Sequence, residues 1–305
     1  MAMSIDSGPH GWLVIDKPLG MSSNRVVQLI RRNTSAKVGH AGTLDPLATG
    51  VLPIAIGEAT KTTAYAMMGR KRYRFRIRWG VARTTDDREG EITGECDLRP
   101  SRRAIEAILP RFIGTIAQCP PAYSAVKVNG RRAYLLSRRD APPSLSPRPV
   151  EIAELQLVAI GDPDHADFEA LVGKGTYIRA LARDFGTALE TFAHIVELRR
   201  LSVGRFTETQ AIALDSFRDR HISADYGHLL PIEAALDDIP ALTLTEAEAA
   251  RLRSGLSLTS GGRGGLADFD RFEEGTVLSA RHHRSLVAIA KVENGRLRPI
   301  RVMNC

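Results

Sequence analysis

From Arg72 to Trp79 the chain reads Arg72-Tyr73-Arg74-Phe75-Arg76-Ile77-Arg78-Trp79, a strict alternation of arginines with aromatic or apolar side chains. Period-2 alternation belongs to a half-exposed β-strand, here with one aromatic-apolar face and one arginine face. Toward the N-terminus, Val51 to Ile56 is a second apolar run, and residues 33–50 are rich in Gly, Ser, Thr and Pro and predict an ordered loop or a succession of turns. Before that loop, Ser22 and Ser23 offer an N-cap to a helix carrying Val26, Val27, Leu29 and Ile30 and ending in Arg31-Arg32. Trp12 to Ile15 predicts a strand stopped by Lys17-Pro18-Leu19-Gly20.

Toward the C-terminus, residues 101–117 predict a helix, and Pro120 to Arg139 is a basic excursion with Lys127, Arg131, Arg132, Arg138 and Arg139. A proline cluster at Pro142, Pro143, Pro147 and Pro149 follows, and then two runs, Val150–Ile160 and Ala166–Val172, that predict paired strands. Tyr177 to Phe185 predicts a helix closed by Gly186. A boundary falls at Ile239-Pro240. Beyond it, Thr245 to Arg253 predicts a short helix opened by a Thr245/Glu248 capping box, and Val277–Ala280, Leu286–Val292 and Leu297–Val302 predict three strands of a small β-rich module.

The 305 residues suit one large domain, or a large one with a small one. With 43% hydrophobic and 25% charged residues the composition is that of a globular protein, which excludes a disordered tail, a collagen-like rod or a coiled coil. A balance of 42 Lys+Arg against 35 Asp+Glu favours a polyanionic partner without identifying it. Cys96, Cys119 and Cys305 are too scattered for a disulfide framework or a zinc knuckle, and neither a signal peptide nor a membrane-length apolar stretch is present. The expectation is a cytoplasmic protein that is neither exported nor membrane-spanning.

Asp45 stands out as a carboxylate in a Gly-rich loop otherwise poor in acids. It either caps a turn before Pro46 or serves as a nucleophile, which needs a rigid loop, partial desolvation and a cationic partner. Arg179 is a candidate partner; it shares a face with Tyr177 if that segment is extended and diverges from it if helical. Tyr73 is either a core aromatic or a platform for an unpaired base, with its arginine neighbours meeting phosphates. His40 is either a solvated loop histidine or a site residue.

The string Lys37-Val38-Gly39-His40-Ala41-Gly42-Thr43-Leu44-Asp45-Pro46-Leu47-Ala48-Thr49-Gly50-Val51-Leu52-Pro53 resembles the signature of the bacterial tRNA pseudouridine-55 synthases, the TruB family. The resemblance continues through Lys71-Arg72-Tyr73, Pro120 to Gly130, Gly175-Thr176-Tyr177-Ile178-Arg179 and Leu198-Arg199-Arg200-Leu201, and covers residues 11 to about 210. Ala41 departs from it, since the family more usually has Thr there, and Ser260-Gly261-Gly262-Arg263-Gly264-Gly265 is also atypical. The resemblance implies an α+β fold: a mixed, mostly antiparallel sheet with flanking helices over residues 1–238, and a small β-rich PUA-like RNA-binding domain over 239–305. It implies conversion of one uridine in the tRNA T-arm to pseudouridine after base flipping, with no metal, cofactor or obligate protein partner and a monomeric enzyme. By the same resemblance Asp45 is the catalytic aspartate, paired with Arg179. Tyr73 stacks on the flipped base, His40 supports the neighbouring stack, Tyr177 and Leu198 line the pocket, and the basic excursion grips the RNA backbone.

Two other readings compete. Asp45 and Thr49 are spaced as in an aspartyl-phosphate loop, but that chemistry wants a strand directly before the aspartate and a magnesium-binding acidic cluster, which the sequence lacks. An RNA-binding or RNA-folding module without catalysis also suits the basic charge, although it has no need of a carboxylate facing a polyanion.

Overall fold

The computed structural model describes residues 8–124, 126–128, 131–132, 145–217, 227–260 and 268–304. Strands between residues 11 and 213 build a ten-stranded sheet, which starts with β1 (Gly11–Lys17), β2 (Val38–His40), β3 (Ala48–Ile56), β4 (Lys71–Trp79) and, beyond the small hairpin β5 (Val81–Arg83) and β6 (Ile92–Glu95), β7 (Gly114–Gln118). A two-residue ribbon, β8 (Lys127–Val128) and β9 (Arg131–Arg132), precedes the long strands β10 (Arg148–Asp162) and β11 (His165–Val172). The last members are β12 (Ala193–Val203), β13 (Phe206–Thr207) and β14 (Ile212–Ala213). The order is β14-β1-β3-β12-β4-β11-β10-β7, with β13 beside β12 and β2 beside β3. All pairs are antiparallel except β1 with β14 and β12 with β3.

Helices α1 (Ser23–Arg32), α3 (Arg102–Ile108) and α4 (Ile178–Ala188) cover one face of this sheet, and a single turn, α2 (Thr63–Ala66), follows β3. Ser22 caps α1 by accepting from the Arg25 amide at 3.3 Å. The alternate residues Tyr73, Phe75, Ile77 and Trp79 point to this side and join one core with Val26, Ile30, Ile105, Leu181 and Phe185. Phe185 closes on Phe168 at 5.5 Å and Phe112 at 4.8 Å, aromatic contacts that anchor α4 over the sheet.

The opposite face is buried only in part. A second sheet, ordered from β15 (Ala241–Thr243) through β17 (Val277–His282), β18 (Ser285–Glu293) and β19 (Arg296–Val302) to β16 (Leu258–Thr259), carries helix α5 (Glu246–Arg253). Its Leu286 and Ile289, with Met303, pack on Trp12, Val14, Val51 and Ala55, so β1 and β3 are apolar on both faces. The arginine face of β4 lies beyond this cover. There Arg72 meets Glu154 at 2.6 Å, Arg74 meets Glu169 at 2.5 Å and Arg76 meets Asp167 at 2.7 Å.

The sequence expectations hold for β1, α1, β4, the β10–β11 pair, the capping box of α5 and the three terminal strands. Three others need correction. Residues 33–50 are not all loop: β2 pairs with β3 although a Gly-rich sequence hides the strand, because its partner supplies the order. Residues 101–117 are helical only to Phe112, after which Gly114 turns at φ 97° into edge strand β7. Gly186 does not end α4; it lies inside the helix, where an added Cβ would come 2.9 Å from the Ala193 amide, so close packing on β12 requires glycine there. Arg138, Arg139, Pro142, Pro143, Cys305 and the tract from Gly261 to Gly265 lie outside the described residues. Among the described residues no helix is long and apolar enough to cross a membrane.

Candidate active site

Asp45 sits in the turn that leads from β2 into β3, and that turn is fastened at each residue. The buried Ser23 hydroxyl accepts from the Leu44 amide at 2.8 Å and donates to the Leu44 carbonyl at 3.1 Å. The Pro46 carbonyl accepts from the Gly20 amide at 2.8 Å and from Lys17 Nζ at 3.3 Å, and the Asp45 carbonyl accepts from the Ala48 amide at 3.0 Å. Lys17 is wholly buried at the end of β1 and donates also to the carbonyls of Met21 and Pro18. Burial lowers its pKa to about 8, against the opposing pull of the Asp45 carboxylate.

At the start of the same loop, Arg200 lies buried under β3. It donates through Nε to the Val51 carbonyl at 2.8 Å and through Nη2 to the Gly42 carbonyl at 3.0 Å. Gly50 makes this approach possible: its φ is 98°, and a Cβ would lie 2.2 Å from the Arg200 carbonyl oxygen. Asp45 is therefore presented by a rigid turn, with its side chain 38% exposed.

Its partner comes from α4. Tyr177 is the extended N-cap residue and the helix begins at Ile178, so Tyr177 and Arg179 diverge as the helical alternative required. Arg179, whose side chain is only 6% exposed, places Nε 3.0 Å from Asp45 Oδ2 and 3.5 Å from Asp87 Oδ2. Its Nη1 and Nη2 donate to the carbonyls of Thr85 and Tyr123 at 2.8 and 2.9 Å. Every nitrogen of the guanidinium is thus engaged by the protein, which fixes the Asp45 carboxylate in one orientation.

The remaining expected residues fall around this pair. Tyr73 lies opposite Arg200 in the β4–β12 register and is 9% exposed, on the sheet face that carries α1 and α4. Leu198 pairs with Ala48 across β3 and with Phe75 across β4. Tyr177 is tied to Gln118 in both directions, amide to Oε1 at 2.9 Å and Nε2 to carbonyl at 3.2 Å, and burial raises the pKa of its phenol. His40 ends β2; its Nδ1 is buried without a partner, and burial, aided by the Arg200 charge, lowers its pKa and favours the neutral ring. The β4 arginines lie on the face opposite Tyr73, as the alternation predicts, and there Arg72, Arg74 and Arg76 meet carboxylates.

Sequence reading missed Lys17, Ser23, Asp87 and Arg200. Lys17 closes the apolar run of β1 at a position that continues its buried pattern, Ser23 stands beside the N-cap of α1 and Arg200 stands in the Leu198-Arg199-Arg200-Leu201 run that carries the resemblance, whereas Asp87 left no signal. Ala41 is fully buried against the apolar cluster around Trp12 and Val51, so the departure at this position adds no unmet polar group.

This loop, arginine and aromatic arrangement coincides with a family match. A model described as TruB family pseudouridylate synthase (N terminal domain) matches residues 30–178, and one described as tRNA pseudouridylate synthase B C-terminal domain matches residues 179–237. The tRNA pseudouridine synthase B of Bradyrhizobium diazoefficiens is 52% identical, covering 97% of this chain and 86% of that protein. The chain belongs to the TruB family. The tRNA pseudouridine synthase B of Rhodospirillum rubrum is 50% identical, covering 97% of this chain and 96% of its own length. Among solved structures, the archaeal box H/ACA sRNP Nop10-Cbf5 complex contains a chain that aligns with a TM-score of 0.72 at 24% identity, covering 96% of this chain and 86% of that one. At that identity the likeness shows the TruB-type fold.

Proposed function

We propose that this TruB-family chain is an isomerase that converts a uridine of the tRNA T-arm, position 55, to pseudouridine. The observation that carries the reading is the Asp45–Arg179 pair, a half-exposed carboxylate in a fastened turn held at 3.0 Å by a buried guanidinium. Asp45 either attacks uracil at C6 or assists departure of the base through C1′ or a glycal-like route. On every route the N1–C1′ bond breaks, any bond formed to Asp45 is released, a C1′–C5 bond forms, N1 is left protonated and the C5 hydrogen passes to water.

The target base is flipped from its stack, at a cost of a few kcal/mol recovered in the pocket. Tyr73 stacks on it, Tyr177 and Leu198 line the pocket, and the neutral His40 ring supports the neighbouring bases. Arg179 keeps the Asp45 carboxylate aimed at the reacting base. The basic excursion from residue 123 grips the RNA backbone. Residues 1–238 form the catalytic domain and 239–305 a PUA-like RNA-binding domain, a division supported by the separate sheet that begins at Ala241. The enzyme works as a cytoplasmic monomer with no cofactor.

The test uses a T-arm stem-loop tritiated at uracil C5. Wild-type protein is expected to release tritium and Asp45→Asn to bind the RNA without release. Binding without release by both proteins would overturn the reading in favour of an RNA-folding module.

A further inference from the structure

One helical turn behind Arg179, a second arginine of α4 repeats its pattern of contacts. Arg183 Nη1 donates to Asp86 Oδ2 at 2.8 Å, and Nη2 donates to the Cys119 carbonyl at 2.7 Å. Arg179 likewise reaches the 85–87 turn on one side, through the Thr85 carbonyl and Asp87, and the 119–123 segment on the other, through the Tyr123 carbonyl. The spacing of four residues puts both guanidinium groups on one face of α4.

The middle residue of that turn is unusual. Asp86 adopts φ 58°, a left-handed conformation that costs a side-chain-bearing residue free energy unless its surroundings hold it. Of the four non-glycine residues with positive φ among those described, Glu190 follows α4, and His283 and Asn294 occupy hairpin turns. Asp86 is held by its own backbone, which pairs with Arg83 and Ile195, and by the Arg183 contact. Its carboxyl is 13% exposed, and burial pushes its pKa up despite the arginine. On either side of the left-handed Asp86, the Thr85 carbonyl and the Asp87 carboxylate face the same guanidinium of Arg179; the Asp87 carboxylate also accepts from the Thr85 hydroxyl and the Glu89 amide.

We propose that Asp86 and Arg183 are a positioning pair: Arg183 pins the left-handed Asp86 so that Thr85 and Asp87 converge on Arg179, and through it hold Asp45 in its reactive orientation. The inference rests on the role given above to Asp45 and Arg179. Neither Asp86 nor Arg183 touches the base; their effect on the reaction passes through Arg179. Asn tolerates the left-handed region and keeps an oxygen for Arg183, whereas Gly accepts the backbone and removes the anchor.

The experiment measures single-turnover tritium release at saturating full-length protein, together with RNA affinity and thermal melting. Wild type and Asp45→Asn set the two limits, so failure of the reaction reading shows itself as no release by wild type. Given release by wild type, Asp86→Gly and Arg183→Lys are each expected to slow the single-turnover rate by about tenfold to 100-fold with RNA affinity unchanged, the scale of a small misplacement at a reacting group. Asp86→Asn restores most of the rate. In an Arg179→Lys background, Asp86→Gly and Arg183→Lys produce no further loss, because the residue they act through is already altered. Wild-type rates in Asp86→Gly and Arg183→Lys, or a full additional loss in the Arg179→Lys background, would overturn the pair as a positioning device. Should Asp86→Gly fail to fold, the Arg183→Lys arm and its combination with Arg179→Lys decide the question alone.

Discussion

Arg179 and Asp45 meet at 3.0 Å with opposite exposures, the guanidinium buried and the carboxylate open. The arginine is itself fixed by Thr85, Asp87 and Tyr123, so the pair is an oriented carboxylate rather than a surface ion bridge. Removing the charge while keeping the shape is the sharpest probe. Asp45→Asn is expected to retain fold and RNA binding and to lose turnover by at least about 10³-fold, on the scale of triad deletions. Tritium release from C5-labelled RNA checks this.

Arg179→Lys keeps one positive charge but cannot satisfy two carbonyls and two carboxylates together. Turnover is expected to fall by about 10²-fold, the cost of a misplaced reacting group, while RNA affinity stays within a few-fold of wild type. Separate measurement of single-turnover rate and RNA dissociation constant distinguishes this from a loss of binding.

Ser23→Ala removes both hydrogen bonds that secure Leu44. It leaves a buried amide and carbonyl unpaired, a loss of about 1–3 kcal/mol of stability. Urea unfolding measures that cost, and a lower turnover at a temperature where the variant remains folded shows that Asp45 has lost its fixed perch.

Lys17 gives a pH signature. Its pKa is about 8 in the folded chain against 10.5 as the ordinary value, so between those limits the unfolded chain binds more protons than the folded one. Its contribution to stability therefore rises with pH across that window, is complete above 10.5 and is lost as pH falls through about 8. Lys71, also lowered to about 8 by burial, acts with the same sign. Comparing urea melts of wild type and Lys17→Met across pH 7.5 to 9.5 is expected to show a shallower rise in the variant; equal slopes would contradict the assignment.

Ala41→Thr enlarges a side chain packed against the Trp12 cluster with no exposure. The added methyl and hydroxyl overpack an apolar space, at a cost of about 1–3 kcal/mol, with turnover within a few-fold of wild type. Thermal melting and tritium release measure the two effects independently.

Much of this protein is determined locally. The alternation of Arg72 to Trp79 set β4, the Ser22 and Thr245 caps opened α1 and α5, and the run from Lys37 to Pro53 carried the family. Such features depend on neighbours in the chain, where backbone geometry turns spacing into direction. Tertiary structure alone decided where charge is buried and what it meets. Lys17 and Arg200 became fasteners of the Asp45 loop, Asp87 joined Arg179, and the β4 arginines met carboxylates on the far face of the sheet. A charged side chain has no local pattern that names its partner. Its place is settled when strands far apart in sequence pair, and the desolvation of each ion must then be offset by whatever donors and acceptors that pairing brings within reach.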